Sequence, residues 1–463
     1  MRTWAISGVD LHLDLGGTRV RAALEDALRD AVRTGRLAPG VRLPSSRALA
    51  TDLGVSRNTV AEAYGQLVAE GWLTARQGSG TRGAARPPAT GGAPAPAERP
   101  RPLRYDLRPG FPDTSSFPRS AWLAALRRTL PAAPVDAFGY GDPRGLPELR
   151  AALAEYLARA RGVHADADRV LVCSGFTQGL RLLCDVLRGR GAGTLAVEAY
   201  GHASHRELVR DAGLGVAPLP VDADGARVDP MPDAAAAVLT PAHQYPLGVA
   251  LAAHRRTQAV GWAHETGGFV VEDDYDGEFR YDRRPLGAMQ ALAPDHVVYA
   301  GTARKSLAPA LRLGWLVLPA SLVDDVATAR RLADAQPGVL DQLALAELLR
   351  SGGYDRHVRA RRLEYRRRLQ RLLAALRREA PAVEVSGIAA GMHAVLELPG
   401  GAGEADVVAR AARNDVSVEG LAAYRAPHAP GPAAGPAIVV GYATPPDHAY
   451  TTAMARLCAV LAR

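Results

Sequence analysis

A single lysine, Lys305, occurs in a sequence whose other strongly basic side chains are all arginines. A lysine amine, unlike a guanidinium, can lose its proton near neutral pH and then attack a carbonyl carbon. Residues 297–299, shortly before it, form an apolar run typical of a buried strand that delivers a loop to a site. The alternative is a surface lysine without a chemical role. The position favours an amine that forms a Schiff base with an aldehyde cofactor.

Other groups suited to cofactor chemistry follow further apolar runs, where the strands of an open α/β sheet are expected to end. Ligands bind to such sheets outside the carboxyl ends of the strands. Residues 174–178 begin a helix with small residues, so that backbone amides can approach a phosphate. Residues 198–202 offer aromatic rings, and residues 272–276 offer carboxylates.

Pyridoxal phosphate would use all of these groups, because it needs an amine, a carboxylate, a ring partner and a phosphate cradle. An ionised carboxylate stabilises the protonated ring nitrogen, which makes the ring an electron sink. A metal site or a capping role is the alternative for Asp273 and Asp274, but we find no further ligands at close spacing and expect no metal. The candidates are Lys305 for the aldehyde, Asp273 for the ring nitrogen, His202 or Tyr200 for the ring face, and Gly175, Phe176, Thr177, Thr302 and Arg312 for the phosphate.

The elements that must position these groups alternate along residues 105–463, which predicts an α/β domain with a largely parallel sheet. A smaller α+β subdomain is expected over roughly residues 321–463. Its first part is an arginine-rich helical segment, in which the run 359–368 suggests a DNA-binding patch, although its apolar spacing favours a solvated helix face. Strands are expected at residues 170–173, 194–197, 237–240, 269–272 and 297–299, and helices at 177–187 and 255–266.

Residues 1–83 predict a small basic module with a helix-turn-helix. One helix begins near Thr18, a second covers residues 46–53, and a third runs from residue 56 to about 70, followed by two short strands. Residues 84–104, rich in Pro, Ala and Gly, are expected to form a linker. The start of the third helix would face bases and phosphates, although Ser56 and Asn58 also suit helix capping alone. The candidate DNA contacts are Arg47, Ser56, Arg57, Asn58 and Thr59.

Length and composition set outer bounds on the function. A chain of 463 residues is too long for one hydrophobic core, so two or three domains are expected. The formal net charge of +8 permits a polyanionic partner. Three cysteines at no metal-ligand spacing favour free thiols in a reducing cytoplasm. We find no signal peptide and no apolar run long enough to span a bilayer, so a cytoplasmic protein without a membrane partner is expected.

Two resemblances to known families cover nearly the whole chain. The stretch LPSSRALATDLGVSRNTVAEAYGQLVAEGWLTARQGSGT resembles the GntR family of winged helix-turn-helix regulators. This resemblance implies DNA contacts from the five residues named above and from the wing around Gly78. The motifs TPAHQYPLG, VEDDYDGEFRY and GTARKSLAPALRLGW resemble fold-type I pyridoxal-phosphate enzymes of the aspartate aminotransferase family.

The second resemblance implies a role for each motif. Lys305 would form the Schiff base, Asp273 would pair with the ring nitrogen, and Tyr275 would lie near the ring hydroxyl. His243 or Gln244 would stand where these enzymes place an asparagine. A GntR-type head on an aminotransferase-like body is similar to the MocR/GabR regulators, and this likeness implies a homodimer and a small-molecule effector.

The sequence departs from the aminotransferase pattern in three places. Residues 437–442 lack the arginine that holds the substrate carboxylate in these enzymes, and Arg425 is the nearest substitute. His202 stands where a tyrosine is usual, and Arg304 stands where a serine is usual. The missing arginine puts transamination in doubt.

Three functions remain open at this point. The first is a regulator that binds operator DNA and senses pyridoxal phosphate or its adduct with an amine, controlling genes of vitamin B6 synthesis or of amine and amino-acid metabolism. The second is an active aminotransferase with an appended DNA-binding module, which the presence of both Lys305 and Asp273 favours. The third is a DNA-binding protein whose body binds no cofactor. We adopt the first and expect little or no net turnover.

Overall fold

The computed structural model describes residues 5–6, 9–10, 20–76, 80–85, 103–281 and 286–462. Its contacts divide the chain into two compact units, Met1–Pro100 and Arg101–Arg463. Thr18, Gly78 and most of the predicted linker lie outside the described residues. The first unit contains β1 (Ala5–Ile6), β2 (Val9–Asp10), α1 (Val20–Arg33), α2 (Ser46–Leu53), α3 (Arg57–Ala69), β3 (Leu73–Arg76) and β4 (Gly80–Gly83).

Local signals set the limits of the two short helices in the first unit. The Ser45 hydroxyl accepts a hydrogen bond from the Ala48 amide at the start of α2, and Gly54 ends that helix with a φ of 65°. The Ser56 hydroxyl accepts from the Thr59 amide and caps α3 in the same way. β3 and β4 pair in antiparallel fashion, which confirms the winged helix-turn-helix. The core of this unit includes Leu24, Leu28, Leu49, Val60 and Leu67.

The second unit contains many more elements, which we number on in chain order. They are β5 (Tyr105–Asp106), α4 (Arg119–Thr129), α5 (Pro147–Arg161), β6 (Val170–Cys173), α6 (Phe176–Gly189), β7 (Thr194–Glu198), α7 (Ala203–Asp211), β8 (Gly215–Leu219), β9 (Val221–Asp222), β10 (Gly225–Ala226), β11 (Ala236–Leu239), α8 (Ala253–Thr266), β12 (Phe269–Asp273), β13 (Val297–Thr302), β14 (Gly314–Val317), α9 (Ala320–Asp334), α10 (Val339–Arg350), α11 (Gly353–Glu379), β15 (Glu384–Ser386), β16 (His393–Glu397), α12 (Glu404–Arg413), β17 (Val416–Ser417), β18 (Glu419–Gly420), β19 (Ala437–Gly441) and α13 (Asp447–Leu461).

A seven-stranded sheet organises this second unit, in the order β6-β14-β13-β12-β11-β7-β8. Every neighbouring pair is parallel except the two that involve β14, which runs antiparallel to both β13 and β6. The strands are apolar and mostly buried, as expected for a sheet with helices on both faces. The predicted α/β architecture with a largely parallel sheet is therefore confirmed, with one antiparallel strand added.

A second, antiparallel sheet with the order β15-β16-β19-β18 forms a smaller subdomain. The second half of α11 packs on it through Tyr365 and Leu372. The first turns of α11 instead pack with α5 and the large sheet through Tyr354 and Val358, and α9 packs there through Val326. The two cores therefore divide within α11 and not near residue 321, because the side-chain contacts of one continuous helix change from one sheet to the other.

The arginine-rich run in α11 is only partly a solvated face. Arg368 is fully buried, with 0% of its surface exposed. It donates hydrogen bonds to the carbonyls of Ala443 at 2.9 Å and Pro445 at 2.7 Å, and it pairs with the carboxylate of Asp113 at 3.1 Å. This arginine therefore ties α11 to two distant segments, whereas Arg366 on the same helix is exposed. Among the described helices, none is long and apolar enough to cross a membrane.

Candidate cofactor site and nucleic-acid interface

A cavity opens at the carboxyl end of the large sheet, where β7, β12 and β13 bring Glu198, Asp273 and Thr302 to one place. Of the twelve residues named as candidates for binding a cofactor, ten line this cavity, and the two others, His243 and Gln244, do not. The ten are Gly175, Phe176, Thr177, Tyr200, His202, Asp273, Tyr275, Thr302, Lys305 and Arg312.

Lys305 lies in the loop after β13 and exposes 5% of its surface. Its Nζ donates a hydrogen bond to the carbonyl of Gly110 at 2.5 Å. Burial, and then the positive charge of Arg304, lower the pKa of Lys305 from 10.5 to about 7. A large share of this amine is therefore neutral at physiological pH, which is the form that attacks a carbonyl carbon.

The adjacent carboxylates of Asp273 and Asp274 have different surroundings. Asp274 pairs with the buried guanidinium of Arg161 at 2.6 Å and accepts the hydroxyl of Tyr299 at 2.7 Å, so it belongs to the protein core. Asp273 lines the cavity and accepts no hydrogen bond from any residue that the structure describes. Burial raises the pKa of Asp273 well above its usual value, while the charge of Lys305 opposes that shift. A cationic ligand group beside Asp273 would restore its ionised form.

A hydrogen-bonded cluster lies next to Tyr275. Nδ1 of His243 is 3.1 Å from the Tyr275 hydroxyl and 2.9 Å from Oδ2 of Asp276. One ring nitrogen cannot donate to a carboxylate and accept from a phenol at once. When Nδ1–H donates to Asp276, the Tyr275 hydroxyl hydrogen needs another acceptor, and the Asp276 carboxylate, which also hydrogen-bonds with this tyrosine, is one. His393 is the third member of this cluster. One of its ring nitrogens lies within 4.8 Å of a ring nitrogen of His243 and a carboxylate oxygen of Asp276. Its Nε2 hydrogen-bonds to the Pro246 carbonyl at 3.0 Å.

The side chain of Gln244 is used within the protein. Its Nε2 lies 3.1 Å from Oε2 of Glu198 and within 3.0 Å of the carbonyls of Tyr200 and Tyr245. Neither it nor His243 reaches the cavity, contrary to the placement that the resemblance implied. Tyr245, the next residue of the loop, lines the cavity in their stead. The sequence does not show which side chains of a loop face a cavity. The motif therefore indicated that this loop borders the site, but not which of its residues lines it.

Aromatic rings also line the cavity. The ring of His202 stacks on that of Tyr245, with centroids 4.3 Å apart and an angle of 21° between the planes. Burial lowers the pKa of His202 to about 3 and that of His205 to about 4, so both imidazoles are neutral at physiological pH. A neutral, flat ring in this position suits stacking against a heteroaromatic ligand.

The other end of the cavity is built to hold an anion. Gly175 precedes α6 with a φ of 96°, and Phe176 and Thr177 are the first residues of that helix. The amides at a helix N-terminus and the helix dipole favour a phosphate there. Arg312 and Thr302 also line the cavity, and the Thr302 hydroxyl donates to the carbonyl of Leu313 at 3.3 Å. Together with the unpartnered Asp273 and the neutral amine of Lys305, this donor set fits pyridoxal phosphate.

Two further arginines, Arg425 and Arg304, differ in whether they line the cavity. Arg425, the sequence-based substitute for the missing substrate arginine, donates to the carbonyls of Ala429 and Gly431, both at 2.9 Å, and does not line the cavity. Arg304 does line it, beside Lys305. In the sequence, Arg304 was noted only as a departure from a family pattern. Its position next to the reactive lysine could have identified it as a residue of the site.

The first unit presents its predicted DNA contacts on one short stretch. Arg57 and Asn58 begin α3, and Arg47 lies at the start of α2. All three side chains are exposed, and neither arginine forms an ion pair with any described residue. Ser56 caps α3, as the alternative interpretation expected, and its hydroxyl also lies 2.8 Å from that of Thr59. The arginines are therefore the free cationic groups of this face.

Comparison with known proteins matches each unit separately. The family described as "Bacterial regulatory proteins, gntR family" matches residues 21–82, and "Aminotransferase class I and II" matches residues 110–419. Among solved structures, the α-aminoadipate aminotransferase LysN of Thermus thermophilus superposes with a TM-score of 0.67 at 25% identity, covering 77% of this chain and 91% of that one. The kynurenine aminotransferase of Pyrococcus horikoshii gives a TM-score of 0.68 at 24% identity, over 77% of this chain and 90% of that one.

Curated relatives match both units at once. The HTH-type pyridoxine biosynthesis transcriptional regulator PdxR of Corynebacterium glutamicum is 35% identical over 82% of this chain and 83% of its own length. The probable rhizopine catabolism regulatory protein MocR of Rhizobium meliloti is 35% identical over 77% of this chain and 76% of its own length. The chain therefore belongs to the MocR-type family of transcriptional regulators, in which a GntR helix-turn-helix domain precedes a class I and II aminotransferase domain.

Proposed function

We propose that the protein is a cytoplasmic transcriptional regulator that binds operator DNA and senses pyridoxal phosphate, or its adduct with an amine. The observation that carries this proposal is the pairing of a buried, readily neutral Lys305 with an unpartnered Asp273 in one cavity. The relative from Corynebacterium glutamicum is named for pyridoxine biosynthesis. Genes of vitamin B6 synthesis are accordingly the first candidate targets, and genes of amine or amino-acid metabolism the second.

Each part of the cavity has a task in holding this cofactor. Pyridoxal phosphate supplies an aldehyde carbon and a ring that takes up electrons when its nitrogen is protonated. Lys305 would offer a neutral amine to the aldehyde, and ionised Asp273 would keep the proton on the ring nitrogen. Tyr275 would lie near the ring hydroxyl. The stacked rings of His202 and Tyr245 would shield the ring face from water. The α6 amides, Thr177, Thr302 and Arg312 would hold the phosphate.

Sensing is favoured over turnover by what the cavity lacks. Strand β19 and the residue after it carry no arginine, and Arg425 is bound to loop carbonyls. An amino acid would therefore find no arginine at the position from which the aminotransferases hold a substrate carboxylate with two parallel hydrogen bonds. The presence of both Lys305 and Asp273 nevertheless favours aminotransferase activity as the second candidate. Steady transfer from an amino donor to a keto acid, lost in Lys305→Ala, would establish that candidate.

The regulatory proposal is tested with DNA from upstream of the protein's own gene. We expect a gel shift with the full-length protein, and a change in affinity or footprint when pyridoxal phosphate is added. The Lys305→Ala variant should bind the same DNA and lose the cofactor response. DNA binding that is identical with and without the cofactor would refute the sensing role while leaving the DNA-binding role intact.

DNA contact is proposed for Arg47, Arg57, Asn58 and Thr59, with Ser56 acting both as a cap and as a neighbour of the phosphates. Exposed arginines at two helix starts suit guanine edges and phosphate oxygens. Gly78 remains a proposed wing contact and lies outside the described residues.

A homodimer is proposed from an exposed apolar patch on the second unit. Val135 is 86% exposed, Phe138 52% and Tyr140 96%, which is unusual for large apolar side chains so close in sequence. The segment is held in place, because Gln336 bonds to the amide of Gly141 and the carbonyl of Gly139. Sedimentation of the full-length protein should give a dimer, and Val135→Asp should weaken it. A wild-type monomer at micromolar concentration would contradict the proposal.

A further inference from the structure

Arg304 is a half-buried cation in the cavity wall. Its Nε is inaccessible to solvent and makes no hydrogen bond with any residue that the structure describes. Its guanidinium carbon lies 5.5 Å from the centroid of the Phe111 ring, which holds the side chain over an aromatic face. The Nε–H group has therefore lost water contacts that no described protein group replaces.

The charges around Arg304 also disfavour its positive charge. Arg312 lines the same cavity, and neither arginine forms an ion pair within the described part of the chain. Burial, and then the charge of Arg312, lower the pKa of Arg304, as expected for two neighbouring cations. The second carboxylate of the cavity wall, Glu198, is satisfied by Thr240, whose amide and hydroxyl both donate to it. The cavity lining contains three arginines, Arg206, Arg304 and Arg312, against the two carboxyl groups of Glu198 and Asp273, so its positive groups outnumber its negative ones.

We propose that Arg304 binds an oxyanion of the ligand in this cavity, through the planar fork that serine, the usual residue at this position, does not have. The proposal deepens the proposed function, on which it rests. Two sources can supply the oxyanion: the phosphate of the cofactor, shared with Arg312, or the carboxylate of an amino-acid effector. A guanidinium grips either one with two parallel hydrogen bonds, which an ammonium group cannot do.

The phosphate source is tested with pyridoxamine phosphate and pyridoxamine, which carry no aldehyde and so bind without reacting at Lys305. Full-length protein freed of cofactor is titrated with each, as wild type, Arg304→Gln and Arg304→Lys. Arg425→Gln is the matched control, because its Nε is also buried and unpartnered among the described residues but lies outside the cavity lining. A phosphate contact predicts that Arg304→Gln weakens pyridoxamine phosphate about 10–100-fold and pyridoxamine hardly at all.

The carboxylate source is tested on cofactor-loaded protein. The change in cofactor absorbance is titrated with L-leucine and with 3-methylbutylamine, which has the same side chain and no carboxylate. A carboxylate contact predicts that wild type prefers the amino acid and that Arg304→Gln loses that preference at least tenfold, by the same reasoning. In whichever of the two titrations Arg304→Gln changes, Arg304→Lys should give the same result. Lysine retains the positive charge but lacks the planar guanidinium that forms two parallel hydrogen bonds.

The outcomes separate this inference from the proposed function. Wild-type protein that binds neither pyridoxal phosphate nor pyridoxamine phosphate would refute the proposed function. In that case the shift in unfolding temperature produced by inorganic phosphate, compared between wild type and Arg304→Gln, still tests Arg304. If Arg304→Gln matches wild type and Arg425→Gln in both arms and in that shift, Arg304 is not an oxyanion-binding residue.

Discussion

The pKa of Lys305 can be measured through the pH dependence of cofactor capture. Burial and the charge of Arg304 lower this pKa from 10.5 to about 7. At pH 7, about one in 3000 ordinary lysine side chains is neutral, against about half of the Lys305 side chains, so the reactive amine is enriched about a thousandfold. The protonated form predominates below pH 7. Capture should therefore accelerate about tenfold per pH unit from pH 5 to pH 7 and level off above it.

The assay is stopped-flow absorbance of cofactor-free, full-length protein mixed with pyridoxal phosphate between pH 5 and pH 9.5. Free Nα-acetyl-lysine serves as the reference amine and should accelerate across the whole range. Lys305→Ala should show no saturable capture. If the wild-type rate instead rises at a constant slope to pH 9.5, the amine has an ordinary pKa and the argument from burial is wrong.

Two variants should move the inflection in opposite directions, which excludes titration of the cofactor as its cause. Arg304→Gln removes a cation that disfavours the ammonium form of Lys305, so the inflection should shift to higher pH. Asp276→Asn removes an anion that favours the ammonium form and has a larger effect on Lys305 than Asp273, so the inflection should shift to lower pH. Because burial is the larger cause, neither variant should return the pKa to 10.5.

Three further predictions concern binding and stability. Asp273→Asn should weaken pyridoxal phosphate at least tenfold in equilibrium titration, because it leaves the ring nitrogen without an anion. Arg161→Met should lower the free energy of unfolding by about 3–5 kcal/mol, because it leaves the buried carboxylate of Asp274 unpaired. The control Arg159→Met removes an exposed ion pair and should lower the free energy of unfolding by less than about 1 kcal/mol in the same denaturant series. Arg57→Ala should weaken operator DNA about tenfold in gel shift with little change in thermal unfolding, whereas Ser56→Ala should also lower stability by about 1 kcal/mol.

The first unit could be predicted almost residue by residue because its signals are local. Ser45 and Gly54 mark the ends of α2 within the sequence itself, and the predicted span 46–53 equals the observed helix. Five of the seven strands of the large sheet were located for a similar reason, since buried parallel strands are short apolar runs. Strand β14, which pairs in antiparallel fashion, was missed, and so was β8, a partly exposed edge strand that contains Gly215 and Pro218.

The site was predictable in its residue types and less so in its contacts. Lys305, Asp273 and Thr302 follow apolar runs, so the sheet brings them together as expected. The pairing of Arg161 with Asp274 joins positions 113 residues apart, and no local pattern announces it. The same holds for Gln244, whose side-chain amide donates to acceptors in residues 198–200 and in its own loop. Long-range hydrogen bonds decide which of two adjacent polar residues faces a cavity. A single sequence does not show which distant residues form those hydrogen bonds.

The two activities proposed for this chain constrain each other thermodynamically, whatever path connects them. A ligand shifts a DNA-binding equilibrium only by the difference between its affinities for the DNA-bound and the free protein. If occupation of the Lys305 cavity changes operator affinity by a given factor, operator DNA must change cofactor affinity by the same factor, typically about 5–150-fold for allosteric proteins. Since the neutral amine is the form that captures the aldehyde, protonation of Lys305 competes with the cofactor. The cofactor response of DNA binding should therefore weaken as the pH falls below the pKa of Lys305.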